Sequence, residues 1–217
     1  MERIALTAAT RQICVERAAA ALADGDVIVY PTDTLYGLGA DALSDEAVDK
    51  VYAIKGRDED KPIHCIVADT AMAEQYADVT TDARLLFERL APGALTVVLK
   101  QRAGVEKGIA RGLATIGIRI PKNDFCRALA RAFGRPFTAT SANKAGERAE
   151  RSIETILDQL SYPNVLENIS IDLAVDAGEL PPSLPSTVVD MSGEEPVILR
   201  EGAIQAADVW NAIRAEA

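Results

Sequence analysis

The stretch Val27–Arg57, VIVYPTDTLYGLGADALSDEAVDKVYAIKGR, decides how the chain is read. It opens on the apolar run Val27-Ile28-Val29-Tyr30, whose β-branched residues suit a strand. Pro31 stops the ladder, because proline has no N–H to donate and fixes its own φ. Three short oxygen-bearing side chains follow, Thr32, Asp33 and Thr34, and then Tyr36-Gly37-Leu38-Gly39. Two glycines one residue apart permit tight turns or a close approach of backbone to a ligand. Ser44 is a good N-cap, and Asp45 and Glu46 suit the positive end of a helix running to Ile54. Val48, Val51 and Tyr52 give that helix a buried face, and Gly56 is a natural stop between Lys55 and Arg57. One strand–turn–helix unit therefore sets hydroxyls at a strand end and two cations just past a helix.

The same alternation of periods extends outward from this unit. Before it, a strand-like start gives way to a helix over about Thr10–Asp24, with Ile13, Cys14, Ala18, Ala21 and Leu22 as its apolar stripe and Gly25 as an αL cap. After it, strands are expected at Ile63–Ala68, Leu95–Leu99, Ala114–Ile120, Phe137–Thr140, Ile171–Val175, Thr187–Asp190 and Val197–Leu199. Helices are expected at Thr70–Ala77, Thr81–Leu90, Asp124–Phe133, Ser152–Leu160 and Ile204–Ala215. The run LTVVL is nearly all apolar, as in a strand covered on both faces. Gln101–Gly112 and the proline-rich Asp176–Ser186 read as loops. No repeat or linker interrupts the pattern. The expectation is one α/β domain over residues 1–217: a twisted mixed β-sheet flanked by helices, with an open pocket at strand ends.

Composition bounds the partners. The chain has 217 residues, 48% of them hydrophobic and 26% charged, which is ordinary for a folded domain. A formal net charge of -10 argues against a wholly electrostatic binder of nucleic acid or anionic membrane. No apolar run approaches the roughly 20 residues that span a bilayer, and the N-terminus lacks the apolar core of a signal peptide. A cytoplasmic protein with no membrane partner is expected. Cys14, Cys65 and Cys126 lack metal or disulfide spacing and read as small buried side chains. The one histidine, His64, cannot build a His-rich metal site, so histidine chemistry is set aside.

There is no G-x-x-x-x-G-K-[ST] and no G-x-G-x-x-G between strand and helix. Seven cations nevertheless fall at expected element ends or in loops: Lys55, Arg57, Lys61, Arg119, Lys122, Lys144 and Arg200. They are either unrelated surface charges or a phosphate site, for which arginine supplies a fork and lysine a point charge. Arg119 falls on the alternation of the apolar strand ATIGIRI, so it must meet a protein carboxylate or a ligand anion. Ser141 and Asn143, two apart after a strand, offer hard oxygens to a phosphate or cation. Thr32 and Thr34 can also be plain turn formers, and Ser186-Thr187 is unspecific alone.

In combination and in order, PTDTLYGLGADA, KGR, PGALTVVL, IGIRIP, TATSANKAG, PSTVVD and ILREGAI resemble the YrdC family, the L-threonylcarbamoyl-AMP synthases of tRNA modification. The resemblance covers about residues 10–205. It implies a nucleotidyltransferase that turns L-threonine, bicarbonate and ATP, with Mg2+, into threonylcarbamoyl-adenylate and pyrophosphate. A downstream transferase complex then modifies an adenosine of tRNA beside the anticodon. Carried over by position, Thr34, Tyr36, Arg119 and Ser186 would bind threonine. Lys55, Arg57, Lys61, Thr115, Ser141, Asn143 and Arg200 would bind ATP. Lys55, Arg57 and Arg119 would neutralise charge in the reaction, and Ser141 and Asn143 would meet Mg2+. Relatives carry a histidine at the place of Ile66, whereas this chain has His64, which is either a shifted equivalent or, as favoured here, an unrelated buried histidine. The chain resembles the short form without an extra C-terminal domain. A related carbamoyl-adenylate hydrolase or transferase, and a module binding tRNA or double-stranded RNA, stand as alternatives.

Overall fold

The computed structural model describes residues 1–58, 61–160 and 170–214. It begins with β1 (Glu2–Ala5), α1 (Arg11–Ala23), the hairpin β2 (Ile28–Pro31) and β3 (Tyr36–Gly39), then α2 (Asp45–Lys55) and β4 (His64–Ile66). Next come α3 (Thr70–Tyr76), α4 (Thr81–Leu90), β5 (Leu95–Lys100), β6 (Thr115–Arg119), α5 (Asp124–Phe133) and β7 (Phe137–Ser141). The chain continues through α6 (Ile153–Leu160), β8 (Leu173–Asp176), β9 (Thr187–Asp190), β10 (Val197–Arg200) and α7 (Ala206–Arg214). The expected end of the last helix, Ala215, lies outside the described residues.

Among the described residues the strands form one mixed sheet in the order β1-β8-β2-β3-β7-β4-β6-β5-β9-β10. Strand β7 joins its two halves, pairing antiparallel with β3 on one side and β4 on the other. Side chains alternate between faces along each strand, and the buried residues divide accordingly. Val29, Leu38, Cys65, Val97, Ile118 and Val189 face the core made with α2, α4, α6 and α7. Ile28, Tyr30, Ile66, Phe137, Leu173 and Val175 face a second core under α1 and α5. None of β5, β6, β9 or β10 contributes to that second core. Among the described residues no helix of the second core covers that half of the face, where Thr96, Gly117, Arg119 and Asp190 form the floor.

Local chemistry explains most boundaries. Ser44 Oγ accepts the Ala47 N–H at 3.2 Å and Gly56 ends α2 at φ 57°, as expected. Gly25, at φ 81°, closes α1 with bonds from its own N–H to Leu22 O (3.2 Å) and from Asp26 N–H to Ala21 O (3.0 Å). The buried face of α1 is Cys14, Val15, Ala18 and Leu22, whereas Ile13 is 54% exposed. The stripe thus starts one residue later than the sequence suggested.

Tyr36–Gly39 is a strand and not a glycine turn. Gly37 pairs with Tyr30 and Gly39 with Ile28. A Cβ on Gly37 would stand 2.7 Å from Tyr30 Cζ. These glycines make room for the Tyr30 ring, which stacks edge-on against Phe137 at 5.1 Å and donates its hydroxyl to Thr138 O at 2.8 Å.

Candidate functional site

The β2–β3 turn, the start of β4, and the ends of β6, β7 and β10 surround a cavity whose floor includes Thr96 and Arg119. Of the residues singled out in the sequence, Thr34, Tyr36, Arg57, Arg119, Ser141, Ser186 and Arg200 line it, whereas Lys55, Lys61, Thr115 and Asn143 do not.

Arg119 is the anchor. Its side chain is only 8% exposed and it meets the carboxylate required of a buried cation: Nη2 donates to Asp33 Oδ1 at 2.6 Å. Nη1 and Nη2 also donate to Thr34 Oγ1, each at 3.1 Å. Nε is buried without a hydrogen-bond partner among the described residues, an uncommon state for a native donor. Thr32 is the turn former: its Oγ1 accepts the N–H groups of Thr34 (3.0 Å) and Leu35 (3.1 Å) and so presents Thr34 to the arginine.

A second group stands beside it. Thr96 lies opposite Arg119 in the β5–β6 register, and its Oγ1 is 2.9 Å from Ser186 Oγ. Arg200 donates to Ser186 O through Nε (3.1 Å) and Nη2 (2.9 Å), and Nη2 is 3.3 Å from Ser186 Oγ. Arg57 closes the third side, its Nε and Nη2 donating to Lys61 O (3.0 Å) and Pro62 O (3.2 Å). Burial first, then Arg119 and Arg57, pushes the Arg200 guanidinium below its ordinary value. Three guanidiniums thus crowd one space, and Asp33 is bonded to one of them, Arg119. An anion there would relieve the crowding.

His64 belongs to this wall, not to an unrelated buried position. Residues 64 and 66 share a strand face, and Gly117, lacking a side chain, gives the imidazole its room: a Cβ there would stand 2.3 Å from His64 Cδ2. Burial, then Arg200, Arg57 and Arg119, pushes the imidazole down to about 4, so it is neutral at pH 7.

Lys55 and Asn143 hold each other. The Lys55 Nζ donates to Ser141 O (2.5 Å), Asn143 O (2.7 Å) and Asn143 Oδ1 (3.2 Å), which uses all three of its protons. Burial and then Arg57 push this ammonium down to about 7. Asn143 also accepts from Ser141 Oγ at 2.5 Å and donates to Lys144 O and Glu147 O. The S-x-N loop is thereby pinned to the end of α2. The Tyr36 hydroxyl is similarly committed, donating to Gly178 O (2.8 Å) and accepting from Ala177 N–H (2.9 Å), so it ties down the loop after β8. Lys61 is exposed and pairs with Asp58 at 3.2 Å. Thr115 lines a neighbouring cavity.

Sequence reasoning passed over Asp33, Thr96 and His64 as site residues. The signal for Thr96 was available: it is the one polar side chain inside LTVVL, as Arg119 is inside ATIGIRI. All three cysteines are buried and free. Among the described residues, no three His, Cys, Asp or Glu side chains cluster to hold a metal, and no helix is long and apolar enough to cross a membrane.

The Sua5–YciO–YrdC family profile, described as "Telomere recombination", matches residues 20–202. A putative threonylcarbamoyl-AMP synthase of Methanocaldococcus jannaschii is 35% identical over 181 residues, covering 83% of this chain and 82% of the relative. The threonylcarbamoyl-AMP synthase of Bacillus subtilis is 34% identical over 192 residues, and here the match takes in 88% of this chain but only 54% of the relative. Pyrococcus abyssi Sua5 complexed with L-threonine superimposes with a TM-score of 0.86 at 29% identity, over 98% of this chain and 60% of that one.

Proposed function

This chain belongs to the Sua5–YciO–YrdC family, and from that premise we propose that it is a threonylcarbamoyl-AMP synthase. The observation that carries the reading is Arg119: a buried guanidinium, oriented by Asp33 and Thr34, its Nε without a partner among the described residues, lining a cavity it shares with Arg57 and Arg200. That is a seat for a carboxylate beside a seat for phosphates. Thr34 and Ser186 would read the polar groups of L-threonine, and sites built to hydrogen-bond a substrate hydroxyl discriminate strongly against analogues lacking it.

In this reading the threonine amine and bicarbonate combine to a carbamate with loss of water. A carbamate oxygen then forms a bond to the α-phosphorus of ATP as the bond to pyrophosphate breaks. Both partners are anionic, so the work of the site is charge neutralisation and in-line placement. Arg57, Arg119 and Arg200 supply the charge. His64, being neutral, takes no anion away from them. Of the two oxygens expected to meet Mg2+, Ser141 Oγ lines the cavity and would meet an ion arriving with phosphate oxygens and water, whereas Asn143 Oδ1 already accepts from Lys55 Nζ and Ser141 Oγ and does not fit that role; Mg2+ would neutralise the triphosphate further. The adenylate product is an activated acyl group, to be consumed by a transferase acting on tRNA.

The test is direct. Purified protein with ATP, Mg2+, bicarbonate and L-threonine should release pyrophosphate only when threonine is present. Pyrophosphate release indifferent to threonine, or none at all, sinks the synthase reading.

A further inference from the structure

Strand β5 turns Leu95, Val97 and Leu99 into the core made with α2, α4, α6 and α7. Thr96 takes the other face, where it lies opposite Arg119 on β6 and Val188 on β9 and lines the cavity. It is 1% exposed. A valine would fill nearly the same volume and suit a strand as well, so the hydroxyl needs a reason. A buried hydroxyl that finds no partner costs stability. Among the described residues the one side-chain hydrogen bond of Thr96 is the 2.9 Å contact with Ser186 Oγ.

The backbone of Ser186 is clamped on every side. Thr187 N–H donates to Ala94 O (2.9 Å), Ala203 N–H donates to Pro185 O (2.9 Å), and Arg200 Nε and Nη2 both donate to Ser186 O. A Cβ on Gly202 would stand 2.7 Å from Ser186 C, so the chain after β10 lies directly on this peptide. What is left to set is where the Ser186 proton points. Arginine only donates, so Arg200 Nη2, 3.3 Å away, can meet Ser186 Oγ only as a donor. When Thr96 donates as well, both acceptor positions of Ser186 Oγ are filled and its own proton is left for a ligand. Ser186, 6% exposed, is the outer of the two hydroxyls and the better placed to make that contact. Arg119, Ser186 and Arg200 then present only donors to the cavity, which suits a carboxylate and repels an ammonium.

We infer that Thr96 is a positioning residue: by donating to Ser186 Oγ it holds the Ser186 proton toward the carboxylate of bound L-threonine, beside Arg119. The inference rests on the synthase reading for the identity of the ligand. Thr96 acts through Ser186, so its contribution exists only while the Ser186 hydroxyl is there to be turned.

The experiment uses Thr96→Val, which keeps the volume and removes the hydroxyl, and Thr96→Ser, which keeps the hydroxyl. In threonine-dependent pyrophosphate release, Thr96→Val should raise the KM for L-threonine by about five- to tenfold, the worth of one hydrogen bond. Its kcat and its KM for ATP should stay within about twofold of the wild type, as should every constant of Thr96→Ser. Calorimetric titration of L-threonine should show the same loss without turnover. In a Ser186→Ala chain, Thr96→Val should add less than about twofold, because the hydroxyl it orients is gone. L-2-aminobutyrate keeps the carboxylate and lacks the side-chain hydroxyl, so its binding should suffer the Thr96→Val penalty in full. An unchanged KM for L-threonine, an equal loss on ATP, no rescue by serine, losses that add to those of Ser186→Ala, or a penalty that disappears with L-2-aminobutyrate overturns the inference. A wild type that binds L-threonine but releases no threonine-dependent pyrophosphate overturns the synthase reading alone, because the Thr96 and Ser186 comparisons are then read on binding. A wild type that binds no L-threonine overturns both.

Discussion

At the scale of single residues, the site is a set of buried charges whose partners decide what each can do. Arg119 is held by Asp33, and neither side chain exceeds 12% exposure. Arg119→Ala should reduce kcat/KM by at least about a hundredfold and also cost about 3 kcal/mol of stability, because it strands the Asp33 carboxylate. Combining Arg119→Gln with Asp33→Asn should restore the urea midpoint without restoring activity. Recovery of both would mean that Arg119 has only a structural part. Lys55 deserves the opposite expectation from the one its K-x-R position invites. Its three acceptors are protein oxygens, so its first task is to shape the S-x-N loop. His64 adds a pH dependence. Its folded value is lowered from 6.5 to about 4, so between those pH values the unfolded chain binds a proton that the folded chain refuses. Acidification through that window should lower stability, with a slope of up to about 1.4 kcal/mol per pH unit. In His64→Gln the component should vanish, and an unchanged slope across pH 6.5 to 4 would place the effect elsewhere.

At the scale of elements, β4 and β6 pair in parallel and are further fitted to each other by the His64 ring over Gly117. Gly117→Ala puts a Cβ within 2.3 Å of His64 Cδ2, so the ring must swing out of the cavity wall. A loss of about 1–3 kcal/mol is expected from such overpacking, with a rise in KM for ATP. His64→Ala in the same chain should recover most of the stability, and a double-mutant cycle of calorimetric midpoints would read the coupling. Simple additivity would show that the two do not meet. The strand that carries Gly117 was legible in the sequence because apolar alternation and one misplaced charge are local signals. So were α2 and α4, whose caps are local too. Strand β3 was not, because Gly37 and Gly39 have no β-propensity and are justified only by the Tyr30 ring on the neighbouring strand. The fate of Lys55 was hidden for the same reason: nothing near it in sequence reveals that β7 ends at its ammonium. Thr96 was read as a strand former, which it also is, and only the β5–β6 register puts it beside Arg119.

At the scale of the molecule, the cavity draws on both halves of a sheet that β7 makes continuous. Thr34 and Tyr36 come from the β2–β3 half, and Arg119, Ser186 and Arg200 from the β6–β10 half. A ligand in the cavity therefore bridges the two, and its binding energy should stabilise the whole chain and not one lobe. The single tryptophan, Trp210, lies in α7, on α4 and the opposite face from the cavity, with Arg214 above its ring at 5.8 Å. It reports on a part of the core that no substrate touches. L-threonine at a hundred times its Kd contributes about 2.7 kcal/mol to the folded state, which for a chain of this size raises Tm by about 5–10 °C. The shift should be the same whether followed by Trp210 fluorescence or by far-UV circular dichroism, and Arg119→Ala should abolish it. If threonine raised the dichroism midpoint while the Trp210 midpoint stayed still, the α4–α7 end would be unfolding separately. The ten strands would then not act as one cooperative unit in carrying the site.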